Sequence, residues 1–170
     1  MKKICLIVVV TFLCISAAFA QTYEVPKDYI LKAKEDYPKY ESDVLKAIDF
    51  LEQTPWSEQP EKRDEAKAFV LKWIEGSPTV SIEINSEIVK FSKNNVELLG
   101  SYMYGYTKYA LLNKVNFDVF QAKVAGVRAV ITKYTNEPGH KKNSEVEKVI
   151  KLDKDGKLED WIKTDFNKSS

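Results

Sequence analysis

The chain has 170 residues, of which 44% are hydrophobic and 30% charged, and its formal net charge is +1. Only Arg63 and Arg128 are arginines, so the arginine-rich basic stripe typical of nucleic-acid binding is absent and we expect no nucleic-acid partner. Cys5 and Cys14 both lie within the first twenty residues. A chain beginning at residue 21 would therefore have no disulfide, no thiolate nucleophile and no cysteine metal ligand.

The first twenty residues have the pattern of an export signal. Two lysines precede an apolar run over residues 4–15, and residues 16–20 supply the small-x-small ending that signal peptidases cut. A membrane anchor is the alternative, but the run is shorter than the roughly 20 apolar residues that span a bilayer. We expect residues 1–20 to be a cleaved signal peptide. Residues 21–170 then form a single helical domain in the periplasm or outside the cell, with no membrane span after cleavage.

The first helical pattern of this domain begins near Glu35 and ends at Thr54-Pro55. Pro38 is compatible with its first turn, where the missing N–H has no partner to lose. The apolar residues that recur at three- and four-residue spacing are Tyr37, Tyr40, Val44, Leu45, Ile48 and Leu51.

The second helical pattern has clear start and stop signals. Pro60 suits the first helical position, and Pro78 prevents continuation. Gly76 is expected to be a left-handed cap at the end of the helix. One apolar face is formed by Ala66, Phe69, Val70, Trp73 and Ile74.

Residues 79–84 alternate polar and β-branched apolar residues, which indicates a short extended segment. No second strand is evident. We therefore expect a connector that packs Val80, Ile82 and Ile84 onto helices, followed by a helical turn over residues 86–91.

Two long helical patterns follow, joined by a short connection. Asn95 is expected to cap a helix that runs to about Leu112, and Asn116 a second helix that runs to about Tyr134. The short connection predicts an antiparallel αα-hairpin. Small residues that would permit close helix approach are Gly100, Gly105, Ala122, Ala125, Gly126 and Ala129.

The remaining segment predicts two more helices. Ser144 and Glu147 match a capping box at the start of one. Asp155-Gly156 reads as a turn, and Leu158 to Phe166 as a last amphipathic helix. The predicted fold is therefore all-α, a compact bundle of about six amphipathic helices with one extended segment near residues 79–84.

Catalytic and metal-binding residue types are scarce. His140 is the only histidine and lies in a polar loop, without the partners that Ser-His-Asp or Cys-His catalysis requires. Residues 153–156 (Asp-Lys-Asp-Gly) resemble part of a calcium loop, but Lys151 and Ile162 occupy ligand positions. We expect no metal, no cofactor and no identifiable catalytic residue.

Carboxylates are the only acid–base groups the domain offers in number. Glu83 and Glu87 flank the extended segment, and Glu97 follows at the start of the next helix. An enzyme that acts on an envelope glycan or peptide through these carboxylates is the alternative to a binding protein.

Four tyrosines fall within eight residues and are the least ordinary feature of the domain. Helical spacing places Tyr102, Tyr106 and Tyr109 on one side, and Tyr104 is expected to be exposed on another. Such rings either line the core with their hydroxyls at its edge or form a binding surface.

Two resemblances accompany these patterns. Residues 98–102 (Leu-Leu-Gly-Ser-Tyr), with the turn and helix that follow, resemble one tetratricopeptide helix pair. Only one such unit is visible, which reduces the likeness to a generic αα-hairpin. Residues 35–56 and 151–161 look similar to small exported helical proteins of Gram-negative bacteria, which bring no functional residues.

The sequence thus predicts a soluble, monomeric or weakly associating helical protein. Its expected role is non-catalytic binding of a protein segment or an envelope glycan through a groove beside Tyr102, Tyr104, Tyr106 and Tyr109. A purely structural role without a small ligand is a third possibility.

Overall fold

The computed structural model describes residues 23–164 and residue 166, so the predicted export signal lies outside the described residues. Within these residues the chain forms seven α-helices and no strand, which confirms the all-α prediction. Two 3-10 helices, Lys34–Tyr40 and Lys114–Asn116, precede the first and the fifth α-helix. The α-helices are α1 (Glu41–Gln53), α2 (Pro60–Gly76), α3 (Ser86–Ser92), α4 (Glu97–Leu112), α5 (Val119–Asn136), α6 (Ser144–Lys154) and α7 (Leu158–Thr164).

The antiparallel pair α4 and α5 forms the centre of the bundle and makes its most extensive helix contact. Helix α1 packs against α2 and α4. Helix α3 contacts α4 and α6, while α6 and α7 contact α5. The predicted hairpin is therefore the element around which the other helices assemble.

Close approach of α4 and α5 depends on two glycines. A Cβ on Gly105 would lie 2.5 Å from the Ala129 Cβ and 2.7 Å from the Ala125 carbonyl oxygen. A Cβ on Gly126 would lie 2.7 Å from the Tyr102 ring. No side chain fits at such distances, because protein interiors are close-packed. At these two positions the structure confirms that small residues let the helices meet.

The helix caps differ from those the sequence predicted. Asp118, not Asn116, caps α5: its Oδ1 accepts from the backbone N–H of Phe120 (2.7 Å) and Gln121 (3.3 Å). Asn116 lies instead in the 3-10 helix of the connection. Spacing alone predicts a cap only to within a few residues, because several polar residues near a helix start can accept the same bonds.

A similar correction applies to α4 and α6. Asn143, not Ser144, caps α6, since its Oδ1 accepts from the N–H of Glu145 (3.0 Å) and Val146 (3.3 Å). Asn95 does not cap α4 with its side chain, which is bonded instead to the backbone of Lys141.

The second predicted helix is confirmed as α2, with Pro60 in its first turn. Gly76, however, is not a left-handed cap. Its backbone has no positive φ, and a Cβ there would overlap the Tyr37 hydroxyl. Gly76 is therefore required by side-chain packing. The glycine with positive φ is Gly156 (68°), at the predicted turn before α7.

Residues 79–84 form no strand in the described structure. Val80 is buried and Ile82 half-buried, as expected for a connector that packs on helices. Ile84 is 41% exposed, so its predicted burial is wrong. The first predicted helix is a 3-10 helix containing Pro38 that continues directly into α1.

Candidate functional site

Three of the four clustered tyrosines belong to the core. Tyr102 and Tyr106 are buried, and Tyr104 is only 4% exposed, so the prediction that Tyr104 is exposed is wrong. The Tyr104 ring lies over Gly100, one turn earlier on α4, where the missing side chain leaves room for it. Burial raises the pKa of both the Tyr102 and the Tyr104 hydroxyl. Ligand binding by the cluster stays a prediction, and Tyr109 is the half-buried member.

Tyr109 borders a groove of about 540 Å³ between α4 and α5. Gly105 lies against Ala125 and Ala129 in the groove lining, at a point where the two helices are in close contact. The groove reaches Glu52 of α1 at one end and the α4–α5 connection at the other. Its remaining lining residues are Lys108, Leu112, Asn113, Gln121, Val124, Arg128, Thr132 and Lys133.

Lys108 and Arg128, on the walls of the groove, are ion-paired. Lys108 Nζ lies 2.6 Å from an Asp49 oxygen and 2.8 Å from a Glu52 oxygen. On the facing helix, Arg128 Nε lies 3.2 Å from an Asp153 oxygen. The charged heads are thus partly neutralised, and their aliphatic stems contribute apolar wall.

The groove opens beside an exposed apolar end of the hairpin. Within the described part of the chain nine large apolar side chains are exposed, and four of these lie in the short stretch 112–119. They are Leu112 (65% exposed), Val115 (95%), Phe117 (40%) and Val119 (51%). Phe117 packs on Tyr109, with ring centroids 6.3 Å apart, and thereby joins this apolar tip to the groove.

Lys133 closes the inner end of the groove within a buried polar centre. Its Nζ donates to the Thr54 carbonyl (2.7 Å) and pairs with a Glu137 oxygen (3.2 Å). Burial lowers the pKa of Lys133. Arg63 donates to the same Thr54 carbonyl (2.8 Å) and to the Leu51 carbonyl (3.1 Å). The charged groups of Arg63 and Lys133 therefore both lie at the C-terminal end of α1, which is the negative end of its helix dipole.

Sequence reasoning missed this polar centre. The sequence offered only the positions of the two residues next to apolar neighbours as a sign of burial. Arg63 lies on α2 three residues before apolar Ala66, and Lys133 lies beside Tyr134 near the end of α5. The pattern of either helix does not reveal that both side chains reach the carbonyls of α1, because that requires the packing of three helices.

The three carboxylates considered for catalysis have different partners. Glu97 pairs with Arg63 (3.2 Å) and Lys67 (2.9 Å) in a network between α2 and α4. Glu87 pairs with Lys90 within α3 at 2.5 Å. Glu83, on the connector, lies 3.7 Å from Lys123 of α5. They belong to different elements, and their catalytic role stays an untested alternative.

His140 is exposed in the loop before α6, as the sequence indicates. Its Nδ1 lies 2.7 Å from the Glu137 carbonyl oxygen, and the centroid of its ring lies 4.1 Å from the centroid of the Tyr134 ring. Across residues 23–164 and 166, no three His, Cys, Asp or Glu side chains are grouped to hold a metal ion.

Comparison with known proteins identifies no relative. No protein-family model matches the sequence, and neither the curated proteins nor the solved structures contain a significant match. No helix in the described part of the chain combines the length and the hydropathy that a membrane crossing requires.

Proposed function

We propose that this is an exported, non-catalytic binding protein that takes a segment of another protein in the groove between α4 and α5. The observation that carries the proposal is the groove of about 540 Å³ that runs into the exposed apolar tip of residues 112–119. Exposed apolar surface concentrated at one place typically marks an interaction site. Export is supported by the pattern of residues 1–20 alone, and cell fractionation with and without those residues tests it.

The lining of the groove favours a protein segment over an envelope glycan. A glycan site generally offers a flat exposed aromatic face, whereas the Tyr109 ring is half-buried and packed on Phe117. The paired cations offer little to a strongly charged ligand. An amphipathic peptide would suit this lining. Its apolar side chains would lie along Gly105, Ala125 and Ala129, and its polar groups would contact Gln121 and Thr132.

A peptide selected against the purified protein from a random library provides the test. The groove is then filled by Thr132→Trp, an exposed position that lines it. We expect this change to weaken binding of the selected peptide at least about tenfold, the effect of losing roughly 1.4 kcal/mol of contact energy. Thr135→Trp, an exposed threonine on the same helix outside the groove, is the matched control and should change affinity little.

Tyr109→Ala tests the same groove by removing a side chain that lines it. It deletes the half-buried ring at the groove wall, and binding should fall while the variant still melts cooperatively. Equal affinities for the wild type, T132W and Y109A would exclude the groove as the binding site. Hydrolysis of envelope polymers by the wild type, lost in Glu97→Gln, would instead support the enzymatic alternative.

A further inference from the structure

A second surface, which shares no lining residue with the groove, concentrates positive charge. Three lysines from two separate segments line one hollow of about 540 Å³: Lys90 of α3, Lys93 just after α3, and Lys142 just before α6. Lys141 precedes Lys142 on the same exposed loop. Asn94, Asn143, Ser144 and Glu145 complete the lining.

The two segments that carry these lysines are locked together by asparagine side chains. Asn94 donates to the Lys142 carbonyl (2.8 Å). Asn95 donates to the Lys141 carbonyl and accepts from the Lys141 N–H, both at 2.6 Å.

From the other segment, Asn143 donates to the Lys90 carbonyl (3.0 Å) and the Phe91 carbonyl (2.9 Å). Asn95 and Asn143 are themselves buried. The backbone around the hollow is therefore fixed before any ligand arrives, which reduces the entropy that binding would cost.

The charges around the hollow do not cancel. Glu87 neutralises Lys90 at 2.5 Å, and Glu147 lies 3.9 Å from the highly exposed Lys142. Within the described residues, Lys93 and Lys141 have no ion-pair partner. Glu145 is the acidic residue in the lining itself. The hollow thus presents ammonium groups together with the Ser144 hydroxyl, and such donors match an oxyanion.

We propose that this hollow binds a phosphate group, with Lys93 and Lys142 as its principal ligands and Lys90 and Ser144 as further donors. The fold holds like charges from two separate segments in one place, although their repulsion opposes this arrangement. A bound dianion relieves that repulsion.

Titration of the purified protein with inorganic phosphate at low ionic strength, followed by backbone amide chemical shifts, tests the proposal. We expect saturable shifts at Lys93 and Ser144. The double variant Lys93→Gln with Lys142→Gln should bind at least about tenfold more weakly, since one hydrogen bond to a charged group is worth about that factor. Glu145→Gln removes the acidic residue of the hollow and should bind several-fold more tightly.

The matched control is Lys32→Gln with Lys34→Gln, two exposed lysines near the start of the described chain. It should leave phosphate affinity within about twofold of the wild type, although the net charge falls by the same amount. Both double variants alter exposed side chains, and a cooperative melting transition verifies that each is folded. A negative result for phosphate binding does not affect the groove proposal, because T132W tests the groove and does not alter the hollow.

Vesicles of phosphatidylglycerol distinguish the source of the phosphate group. Binding of inorganic phosphate without vesicle binding assigns a free phosphate ligand, and vesicle binding lost in the double variant assigns a lipid headgroup. The proposal is overturned by phosphate shifts that do not saturate together with no vesicle binding, or by equal affinities of the wild type and the Lys93/Lys142 variant.

Discussion

At the residue scale, single atoms decide several of the contacts that hold this bundle together. The Tyr37 hydroxyl occupies the space beside Gly76, and the Tyr37 carbonyl accepts from the Trp73 indole N–H at 3.0 Å. Asp36, one residue before Tyr37, accepts hydrogen bonds from the backbone N–H of Ala33 (2.9 Å) and Lys32 (3.2 Å). The 3-10 helix is thereby fixed at its start by a carboxylate and against α2 by a tyrosine.

Gly76→Ala is expected to destabilise the protein by about 1–3 kcal/mol, the usual cost of forcing a group into filled space. An exposed helical Gly→Ala change would normally stabilise by up to about 1 kcal/mol. Urea denaturation measures the difference. Gly139→Ala is the control, since a Cβ there meets its nearest atom at 3.7 Å. Adding Tyr37→Phe to Gly76→Ala should recover part of the loss, and the absence of any recovery would contradict the assigned collision.

The lowered pKa of Asp36 predicts how the stability of the protein changes at acidic pH. Its hydrogen bonds with Lys39 and with the backbone N–H of Ala33 and Lys32 lower the pKa of Asp36 to about 2 from 3.8. A carboxyl with a lowered folded-state pKa stabilises the fold above its unfolded value and loses this contribution as the pH falls to the folded value. Asp36→Asn should therefore melt below the wild type at pH 7 and close to it at pH 2. A gap of the same size at both pH values would refute the assignment.

At the element scale, the hairpin of α4 and α5 is defined by its close contact and by the cap that begins its second helix. Gly105 and Gly126 allow the two helices to meet, and Asp118 satisfies the first N–H groups of α5. In the short connection between the two helices, apolar Val115 is almost fully exposed.

Asp118→Ala should cost about 1 kcal/mol of stability, as loss of a side-chain N-cap usually does. Asn116→Ala is the matched control, because Asn116 is exposed in the connection and does not cap α5. Thermal and urea denaturation of both variants measures the contrast. A larger loss for N116A than for D118A would show that α5 begins earlier than the structure indicates.

At the scale of the whole molecule, the buried polar centre ties four helices to one another. Arg63 of α2 bonds the carbonyl groups at the end of α1 and a Glu97 oxygen of α4, and Lys133 of α5 reaches the same end of α1. These donors satisfy carbonyl groups that α1 leaves without a partner within its own helix. The relative placement of the helices, and with it the inner end of the groove, depends on this centre.

Arg63→Met should destabilise the protein by roughly 2–4 kcal/mol, because it removes the donor to the Leu51 carbonyl, one of two donors to the Thr54 carbonyl, and one partner of an ion pair. Lys67→Met provides the comparison: Lys67 also pairs with Glu97 but is partly exposed, and its loss should cost less than about 1 kcal/mol. Urea denaturation again gives both values. Similar losses for the two variants would mean that Arg63 acts only as a surface charge.

Helix type and approximate position were predictable because they depend on local spacing. The apolar face of α2 and the antiparallel hairpin follow from residues three and four apart in the chain. The burial of Tyr104 was not predictable in this way, since it depends on the room left by Gly100 and on tertiary packing around the ring. The identity of the cap at Asp118 also escaped the pattern, because Asn116 is chemically equivalent as a cap.

The sequence by itself determined the all-α class, the hairpin and the scarcity of catalytic residue types, all of which depend on composition and short-range periodicity. Only the tertiary structure decided which side chains share a surface. It buried three of the four clustered tyrosines, left Tyr109 beside a groove, and brought Lys93 and Lys142 together across about fifty residues of chain. Such groupings arise from the packing of whole helices, and no local pattern encodes them.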